Sequence, residues 1–328
     1  MQAILAVTFP FFALVLLGYV AAWHHMLPES AIPGLNGFVL FFALPCMLFR
    51  FGMSRPLVQL VDPALTSIYL ASALLIVALT IAVTLRRGAD EASGVLFKDA
   101  AFGALVAAFP NTGFMGLPLL LGLFGERAAG PIVGTLLVDL IVTSSLCLAL
   151  AQAHAPGAPQ GLAASFGRAL RGAVGNPLPW AIALGAAAGA SGVAIPDPLM
   201  QLVRMLADAA TPVALFTIGA VLWRAGQHAH SVTPVGRYLP VALVKLLLHP
   251  LVVLAFGLLA ARGGAAVPSF GLMVLVLVAA LPSASNVSVL AERYGADNGR
   301  VARIIMASTT LAFVSFSLIA WAFRARGG

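Results

Sequence analysis

Two segments of the sequence place a proline and small polar residues in the middle of long apolar runs. The first reads Phe109-Pro110-Asn111-Thr112-Gly113, and the second reads Leu281-Pro282-Ser283-Ala284-Ser285-Asn286. Proline removes a backbone hydrogen bond and breaks a helix, so a new half-helix is expected to begin after each of the two prolines. The N–H groups and the partial positive charge at such a helix start bind anions. The two segments therefore predict a binding site for a small carboxylate.

The polar side chains beside the two prolines are candidates for direct contact with that carboxylate. Asn111 is the first candidate, because its amide can donate to a substrate oxygen or satisfy a freed carbonyl group. The alternative is that these side chains only cap their own half-helices. The predicted substrate-binding residues at the breaks are Pro110, Asn111, Thr112, Pro282, Ser283, Ser285 and Asn286.

Five of the ionisable residues stand inside apolar runs, where a charge is costly and is usually kept for a function. Asp139 can take up a coupling proton, or it can pair with a base from another helix. Lys245 and His249 are four positions apart on one helix face, so they can be its partners or part of a proton relay. Arg50 can face an anionic substrate, or its head group can reach the membrane surface. Asp208 can cap a helix or line the same site.

The sequence contains no recognisable catalytic motif. There is no H-E-x-x-H, no G-x-S-x-G and no G-x-x-x-x-G-K-[ST], so neither protease chemistry nor ATP-driven transport is indicated. Asp139 with His249 is the one thin candidate for an enzyme. His228-Ala229-His230 has the character of a solvated loop rather than of a metal site. We therefore predict no catalytic residue, no metal site and no bound cofactor.

The composition indicates an integral membrane protein. Of the 328 residues, 61% are hydrophobic and 9% are charged, and the mean hydropathy is +1.03. The net charge of +7 comes from single Arg and Lys residues at the ends of apolar runs, so it does not indicate nucleic acid as a partner. Ten runs are long enough to span a lipid bilayer. They cover 2–22, 31–53, 64–86, 99–124, 130–153, 172–193, 200–223, 237–261, 267–291 and 300–323.

Two landmarks recur in the two halves of the chain. Pro45 and Pro212 each begin a P-x-x-L-F pattern, and they are 167 positions apart. Pro110 and Pro282, the prolines of the two breaks, are 172 positions apart. Nearly equal spacing of two unrelated landmarks indicates an internal repeat. Paired broken helices in repeated halves are typical of the substrate site of secondary transporters.

The two repeats are expected to cross the membrane in opposite directions. The polar break 154–168 separates a first repeat over 1–153 from a second over 169–328, each with five predicted helices. Because five is odd, the second repeat must enter from the other side, which predicts an all-α fold of two inverted repeats. Nine basic residues in the connections on one side, against five on the other, predict that both termini lie outside the cytoplasm. The predicted location is the bacterial plasma membrane, that is, the inner membrane.

Four stretches of the sequence resemble the bacterial auxin efflux carrier family. They are ALPCMLFRF (43–51), PNTGFMGLPLL (110–120), VKLLLHPLV (244–252) and ALPSASNVSVLAERYG (280–295). The resemblance covers essentially the whole chain and implies an elevator-type secondary transporter, resembling the bile acid/auxin carrier fold. In such a fold helices 1, 2, 6 and 7 form a scaffold, helices 3–5 and 8–10 form a moving transport domain, and helices 4 and 9 cross at their breaks. The resemblance also implies a homodimer through the scaffold helices.

The resemblance implies malonate or a related organic anion as the substrate, because bacterial members are often assigned as transporters of such acids. The Phe-Pro-Asn-Thr motif at 109–112 differs from the Asn-Pro-Asn-Thr motif of plant carriers, and their long central loop is absent, which disfavours auxin.

Anion uptake against a negative-inside potential is opposed by about 2.3 kcal/mol per charge per 100 mV, so it needs a co-transported cation. We expect a proton rather than sodium, because the sequence has no obvious acidic cluster for sodium. The alternatives are a uniporter that exports auxin-like or amphipathic weak acids, and a channel or receptor.

Overall fold

The computed structural model describes residues 2–54, 61–89, 97–153, 166–167, 170–171, 174–192, 194–227 and 233–326. Most of the predicted linker 154–168 and the segment His228-Ala229-His230 lie outside these residues. The described part of the chain is helical, and its one β-type contact is an isolated bridge between Pro110 and Ser283. Helices suit so apolar a chain, because they satisfy backbone groups within each segment.

The helices are numbered α1 to α10 in chain order, and the letters a and b mark the halves of a broken helix. Each of them overlaps one of the ten predicted runs. Their bounds are α1 Gln2–Trp23, α2 Ala31–Ser54, α3 Pro63–Ala89, α4a Phe97–Ala108, α4b Thr112–Gly116 with Leu117–Phe124, α5 Ala129–Leu137 with Val138–Thr143 and Ser144–Ala153, α6 Pro177–Ser191, α7 Asp197–Gln227, α8 Val235–Arg262, α9a Ser269–Ala279, α9b Asn286–Arg293 and α10 Asn298–Arg326.

Six helical stretches among the described residues are long and apolar enough to cross a membrane. Two further apolar helices, Thr8–Trp23 and Ser269–Ala279, are shorter. The second of these is α9a, which the break at Pro282 cuts short. The arrangement of the chain as ten spans in two inverted repeats stays a prediction.

Several helices widen into π-helical turns. The π segments Val39–Ala43, Thr112–Gly116 and Val244–Leu248 each end two residues before a proline. Proline has no N–H and its ring clashes with the carbonyl group four residues earlier, and a wider turn relieves this clash. A fourth π segment, Val138–Thr143, contains Asp139 and no proline. Such turns are rare in proteins overall, and those that do occur are often at functional sites.

The helices pack in two groups. In the first group, α1 packs along α7, α2 packs along α6, and α7 also contacts α2. In the second group, α3 packs against α4a and α8, α4a against α5, and α8 against α9a and α10. Every residue from Ala100 to Ala108 in α4a is buried, as are eight of the eleven residues of α9a. The first halves of the two broken helices therefore lie inside the second group, surrounded by protein.

Glycines let the helices of the first group touch backbone to backbone. A Cβ atom on Gly18 of α1 would clash with the Phe216 carbonyl group of α7, and one on Gly185 of α6 would clash with the Phe49 carbonyl group of α2. Gly185 follows Gly18 by 167 positions, and Phe216 follows Phe49 by the same number. The two contacts thus repeat with the spacing of the P-x-x-L-F prolines.

This close contact predicts the effect of adding a single methyl group. Gly185→Ala must push α2 and α6 apart, at a cost of about 1–3 kcal/mol for overpacking. We expect a lower melting temperature of the purified protein in a detergent thermal-shift assay. Gly37→Ala in α2 is the matched control, because a Cβ atom there meets nothing within 4 Å. Equal melting temperatures for the two variants would contradict the backbone contact.

Candidate functional site

The two proline breaks lie against each other inside the second helix group. The Asn111 N–H donates to the Pro282 carbonyl oxygen at 2.8 Å, and the Ala284 N–H donates to the Phe109 carbonyl oxygen at 3.0 Å. The breaks thus form a short antiparallel pair in which each supplies partners for backbone groups of the other. This paired region, residues 109–111 and 280–285, is called the crossover below.

Both second half-helices start at the crossover. α4b begins at Thr112, and the Asn111 carbonyl oxygen accepts hydrogen bonds from the N–H groups of Met115 and Gly116 at 3.1 and 2.9 Å. α9b begins at Asn286. The partial positive charges of two helix N-termini therefore meet beside the crossover. This arrangement favours a bound anion.

Several polar side chains at the crossover lack the bonds that capping would give them. Ser283 Oγ and Asn286 Oδ1 are buried and have no hydrogen-bond partner among the residues that the structure describes. Asn111 is only 3% exposed, and its side chain does not cap α4b. Ser285 is 6% exposed and does not cap α9b. Capping alone therefore does not account for these side chains, and unpaired buried polar atoms are suited to meet a ligand or water.

One hydroxyl group holds the main chain of the crossover, and a second lies beside it. Thr112 is fully buried, and its hydroxyl group lies 3.5 Å from the Pro110 carbonyl oxygen. Ser308 of α10 accepts a hydrogen bond from the Ser283 N–H at 3.2 Å and donates one to the Ile305 carbonyl oxygen at 3.0 Å. α10 thereby holds the second break in position.

A buried carboxylate lies on α5, next to α3. Asp139 accepts a hydrogen bond from the Tyr69 hydroxyl group at 2.8 Å and another from the Thr143 hydroxyl group at 3.2 Å, one on each oxygen. Asp139 and Tyr69 are completely buried. Both carboxylate oxygens therefore have a hydrogen-bond partner in the buried interior.

A buried amine and imidazole lie next to this carboxylate, on α8. Lys245 Nζ donates to the Ala279 carbonyl oxygen at 2.6 Å and lies 3.3 Å from His249 Nδ1. The His249 ring stacks at a tilt against the Tyr69 ring, with 5.8 Å between their centroids. The structure thus brings Asp139, Lys245 and His249 into one cluster. With Tyr69 and Thr143 they are called the polar cluster below.

Arg50 and Asp208 lie elsewhere. Their side chains form an ion pair at 3.0 Å, and they are 42% and 76% exposed. The pair joins α2 to α7 within the first helix group. The structure therefore brings these two residues together, but it separates them from both the crossover and the polar cluster.

Two crevices open between the two helix groups. The first, of about 470 Å³, is lined by Ser54 at the end of α2 and by Leu121 of α4b, and the Arg50–Asp208 pair stands in it. The second, of about 820 Å³, is lined by Ile32 at the start of α2 and by Val289 of α9b. The crevices therefore lie at opposite ends of α2, and each reaches one of the second half-helices.

Sequence reasoning missed Tyr69, Thr143 and Ser308. Thr143 could have been found, because it follows Asp139 by four positions and so lies on the same face of the helix. Tyr69 and Ser308 carry no such local signal, because they reach their partners from other helices. The contact of Lys245 with a main-chain carbonyl group also leaves no trace in the sequence.

The described residues form helices, six stretches of them long and apolar enough to cross a membrane, and two broken helices meet in their interior. This is the architecture of a multi-pass membrane transporter. The chain belongs to the membrane transport protein family, whose family model matches residues 3–320. This match confirms the resemblance to the auxin efflux carrier family. Members of this family are transporters and not enzymes.

Similar proteins cover nearly the full length of the chain. A protein of Rhizobium meliloti named "Putative malonate transporter" is 30% identical over 327 residues, which are 99% of this chain and 97% of the relative. The "Uncharacterized transporter YfdV" of Escherichia coli is 26% identical over 93% of this chain and 92% of its own length. An "Uncharacterized transporter" of Methanothermobacter thermautotrophicus is 28% identical over 93% of both chains.

The hydroxyl group of Tyr69 is expected to stabilise the polar cluster. Tyr69→Phe removes the 2.8 Å hydrogen bond and leaves one oxygen of a buried carboxyl group without its donor. The expected loss of stability is about 1–3 kcal/mol, which a thermal-shift assay in detergent detects. Tyr238→Phe, which removes the hydroxyl group of a half-buried tyrosine on α8, is the control. A Tyr69→Phe protein as stable as the control would mean that the bond contributes nothing.

Proposed function

We propose that the protein is a secondary active transporter that moves a small organic anion, malonate or a similar carboxylate, across the membrane together with a proton. The single observation that carries this proposal is the meeting of two helix N-termini and unpaired polar side chains at the crossover. Malonate has two carboxylate groups, and the crossover offers two helix N-termini, so each carboxylate can face one of them. The name of the Rhizobium meliloti relative also supports malonate.

The substrate site of this proposal is the crossover. Asn111 donates its side-chain amide to the substrate, and Ser283 and Asn286 contribute the polar atoms that have no partner in the described part of the chain. Thr112 and Ser285 stand beside them, and Pro110 and Pro282 keep the two half-helices apart. Arg50, in the first crevice, attracts the anion toward the site.

The proposed mechanism is alternating access by an elevator movement. The first helix group (α1, α2, α6 and α7) is the scaffold, and the second is the transport domain that carries the crossover. Two observations support this. The crevices lie between the two groups at opposite ends of α2, where access from the two membrane faces would be needed. The glycine contacts that repeat at a spacing of 167 positions support two inverted five-helix repeats, 1–153 and 169–328.

Location, orientation and assembly are part of the same proposal. The protein lies in the bacterial inner membrane with both termini outside the cytoplasm, as the distribution of basic residues predicts. It forms a homodimer through the scaffold helices. The coupling ion is a proton, taken up in the polar cluster at Asp139 with Lys245 and His249 beside it. Asp208, exposed beside Arg50 in the first crevice, is the second carboxylate proposed to carry the proton.

Transport in proteoliposomes tests the proposal directly. Radiolabelled malonate uptake should saturate, and an inward proton gradient should drive accumulation above the external concentration, since an anion alone is opposed by the membrane potential.

Asp139→Asn should abolish the pH dependence of net uptake while malonate exchange continues. Asp197→Asn, on the exposed first turn of α7, is the control. Uptake that only equilibrates would indicate a channel, and unchanged pH dependence in Asp139→Asn would make Asp139 structural.

Binding to the Asn111→Ala variant tests the site. Loss of a hydrogen bond to a charged group costs about 1.5–3 kcal/mol, so malonate affinity should fall about 10- to 150-fold while the protein still folds. Gln152→Ala is the control, because it also removes an amide side chain, a partly buried one near the far end of α5. Affinity equal to that of the wild-type protein would exclude Asn111 from the site.

A further inference from the structure

Lys245 connects the polar cluster to the crossover. Its Nζ atom donates to the carbonyl oxygen of Ala279, the last residue of α9a, at 2.6 Å. Ala279 precedes Pro282 by three positions, and the Pro282 carbonyl oxygen accepts the bond from Asn111. The ammonium group therefore stands at the C-terminal end of α9a, where the last carbonyl groups of the helix face the crossover.

The charge of Lys245 acts on the crossover in two ways. The C-terminus of α9a carries a partial negative charge, which would repel an anion, and a cation at that end compensates it. The ammonium group is also itself a full positive charge close to the site. Both effects favour a carboxylate there, because Lys245 is completely buried, where water screens its charge little.

Asp139 is the counter-charge of Lys245 in the polar cluster. Tyr69 and His249 link the two groups: the Tyr69 hydroxyl group donates to Asp139, its ring lies against the His249 ring, and His249 Nδ1 is 3.3 Å from Lys245 Nζ. A buried charge without a counter-charge is costly, so the pair keeps the interior near neutrality. A substrate carboxylate at the crossover would be a second negative charge competing for the same cation.

We propose that Lys245 is a counter-charge shared between Asp139 and the substrate, so that a proton on Asp139 and an anion at the crossover bind together. This inference rests on the proposed function. When Asp139 is ionised, an entering carboxylate brings one negative charge into a neutral interior. When Asp139 holds a proton, the cluster is positive and the same carboxylate restores neutrality. By linkage, the proton raises the affinity for the anion by the factor by which the anion raises the affinity for the proton.

The polar cluster contains two further titratable groups, Tyr69 and His249. Tyr69 donates to Asp139, and His249 presents its Nδ1 atom to the ammonium group. α9a has no ionisable side chain. The charged residues of α4a lie in its first turn. The first arginine of α10, Arg300, also lies in the first turn of its helix, where it donates to the main-chain carbonyl groups of Asp99 and Arg237. Arg237 is eight residues before Lys245 on α8, or about 12 Å along the helix.

Malonate binding to the purified full-length protein, measured from about pH 6 to about pH 8, tests the inference. Malonate itself ionises in the same way whichever variant it meets. Its own pH dependence therefore divides out when the affinities of two variants are compared at the same pH. Relative to Asp139→Asn, the affinity of the wild-type protein should fall by up to about tenfold per pH unit as Asp139 loses its proton. Asp139→Asn should therefore bind tighter than wild type at the highest pH, by up to about 100-fold over the two pH units, and no tighter at the lowest. The control Asp197→Asn should follow the wild-type protein.

Lys245→Met supplies the second half of the test. Without the cation, the buried Asp139 carboxyl group keeps its proton, because an unpaired buried charge is costly. The gain from Asp139→Asn should then disappear, so Lys245→Met and the double variant should bind malonate equally weakly at every pH. Lys245→Gln keeps a donor for the Ala279 carbonyl group and removes only the charge, so it should behave like Lys245→Met if charge is what matters. A thermal-shift assay identifies any variant that fails to fold.

The outcomes separate the inference from the proposed function. The inference is overturned if Asp139→Asn binds no tighter than wild type at the highest pH, a result that needs no Lys245 variant. It is also overturned if the gain from Asp139→Asn persists in the Lys245→Met or Lys245→Gln background. Failure of the wild-type protein to bind malonate at any pH would overturn the proposed substrate, and the inference with it.

Discussion

A helix broken inside an apolar bundle exposes N–H and C=O groups that no water can satisfy, and in this protein each of two breaks provides partners for the other. The Asn111 N–H reaches Pro282, and the Ala284 N–H reaches Phe109. Because neither break has these partners without the other, α4 and α9 must meet at their prolines. The meeting brings two helix N-termini together, and the surrounding helices have to bury it. The position of the site and the order of packing around it follow from this one requirement.

The sequence predicted the features that depend on local chemistry. A proline inside a long apolar run has few outcomes, so the positions of both breaks could be read directly, and so could the helices on either side. Asp139, Lys245 and His249 were found because charge is rare in such runs. The pairing of Arg50 with Asp208 could not be found, because it depends on how α2 lies against α7. For the same reason Tyr69 gave no signal, since its partner is 70 positions away in the chain.

The two halves of the chain share a backbone plan but not a set of charges. The contacts of Gly18 and Gly185 recur at the spacing of the internal repeat. The polar cluster does not recur in this way. The carboxylate and its hydroxyl donors come from the first half, and the amine and imidazole come from the second. Two repeats with the same helix packing can thus still contribute different side chains to a polar cluster. Side-chain types can differ between the repeats where helix contacts do not restrain them.

The π-helical turns have a consequence for how such a protein can change. A π turn holds one residue more than an α turn, and each residue rotates the helix by about 100°. The insertion of a single codon can therefore turn one end of a membrane helix relative to the other, while both ends stay at their level in the bilayer. In α5 and α8, the residues Asp139 and Lys245 lie within such turns. Insertions and deletions of one residue, which would disrupt a β-strand, are here a means of turning a buried charge from one neighbour to another.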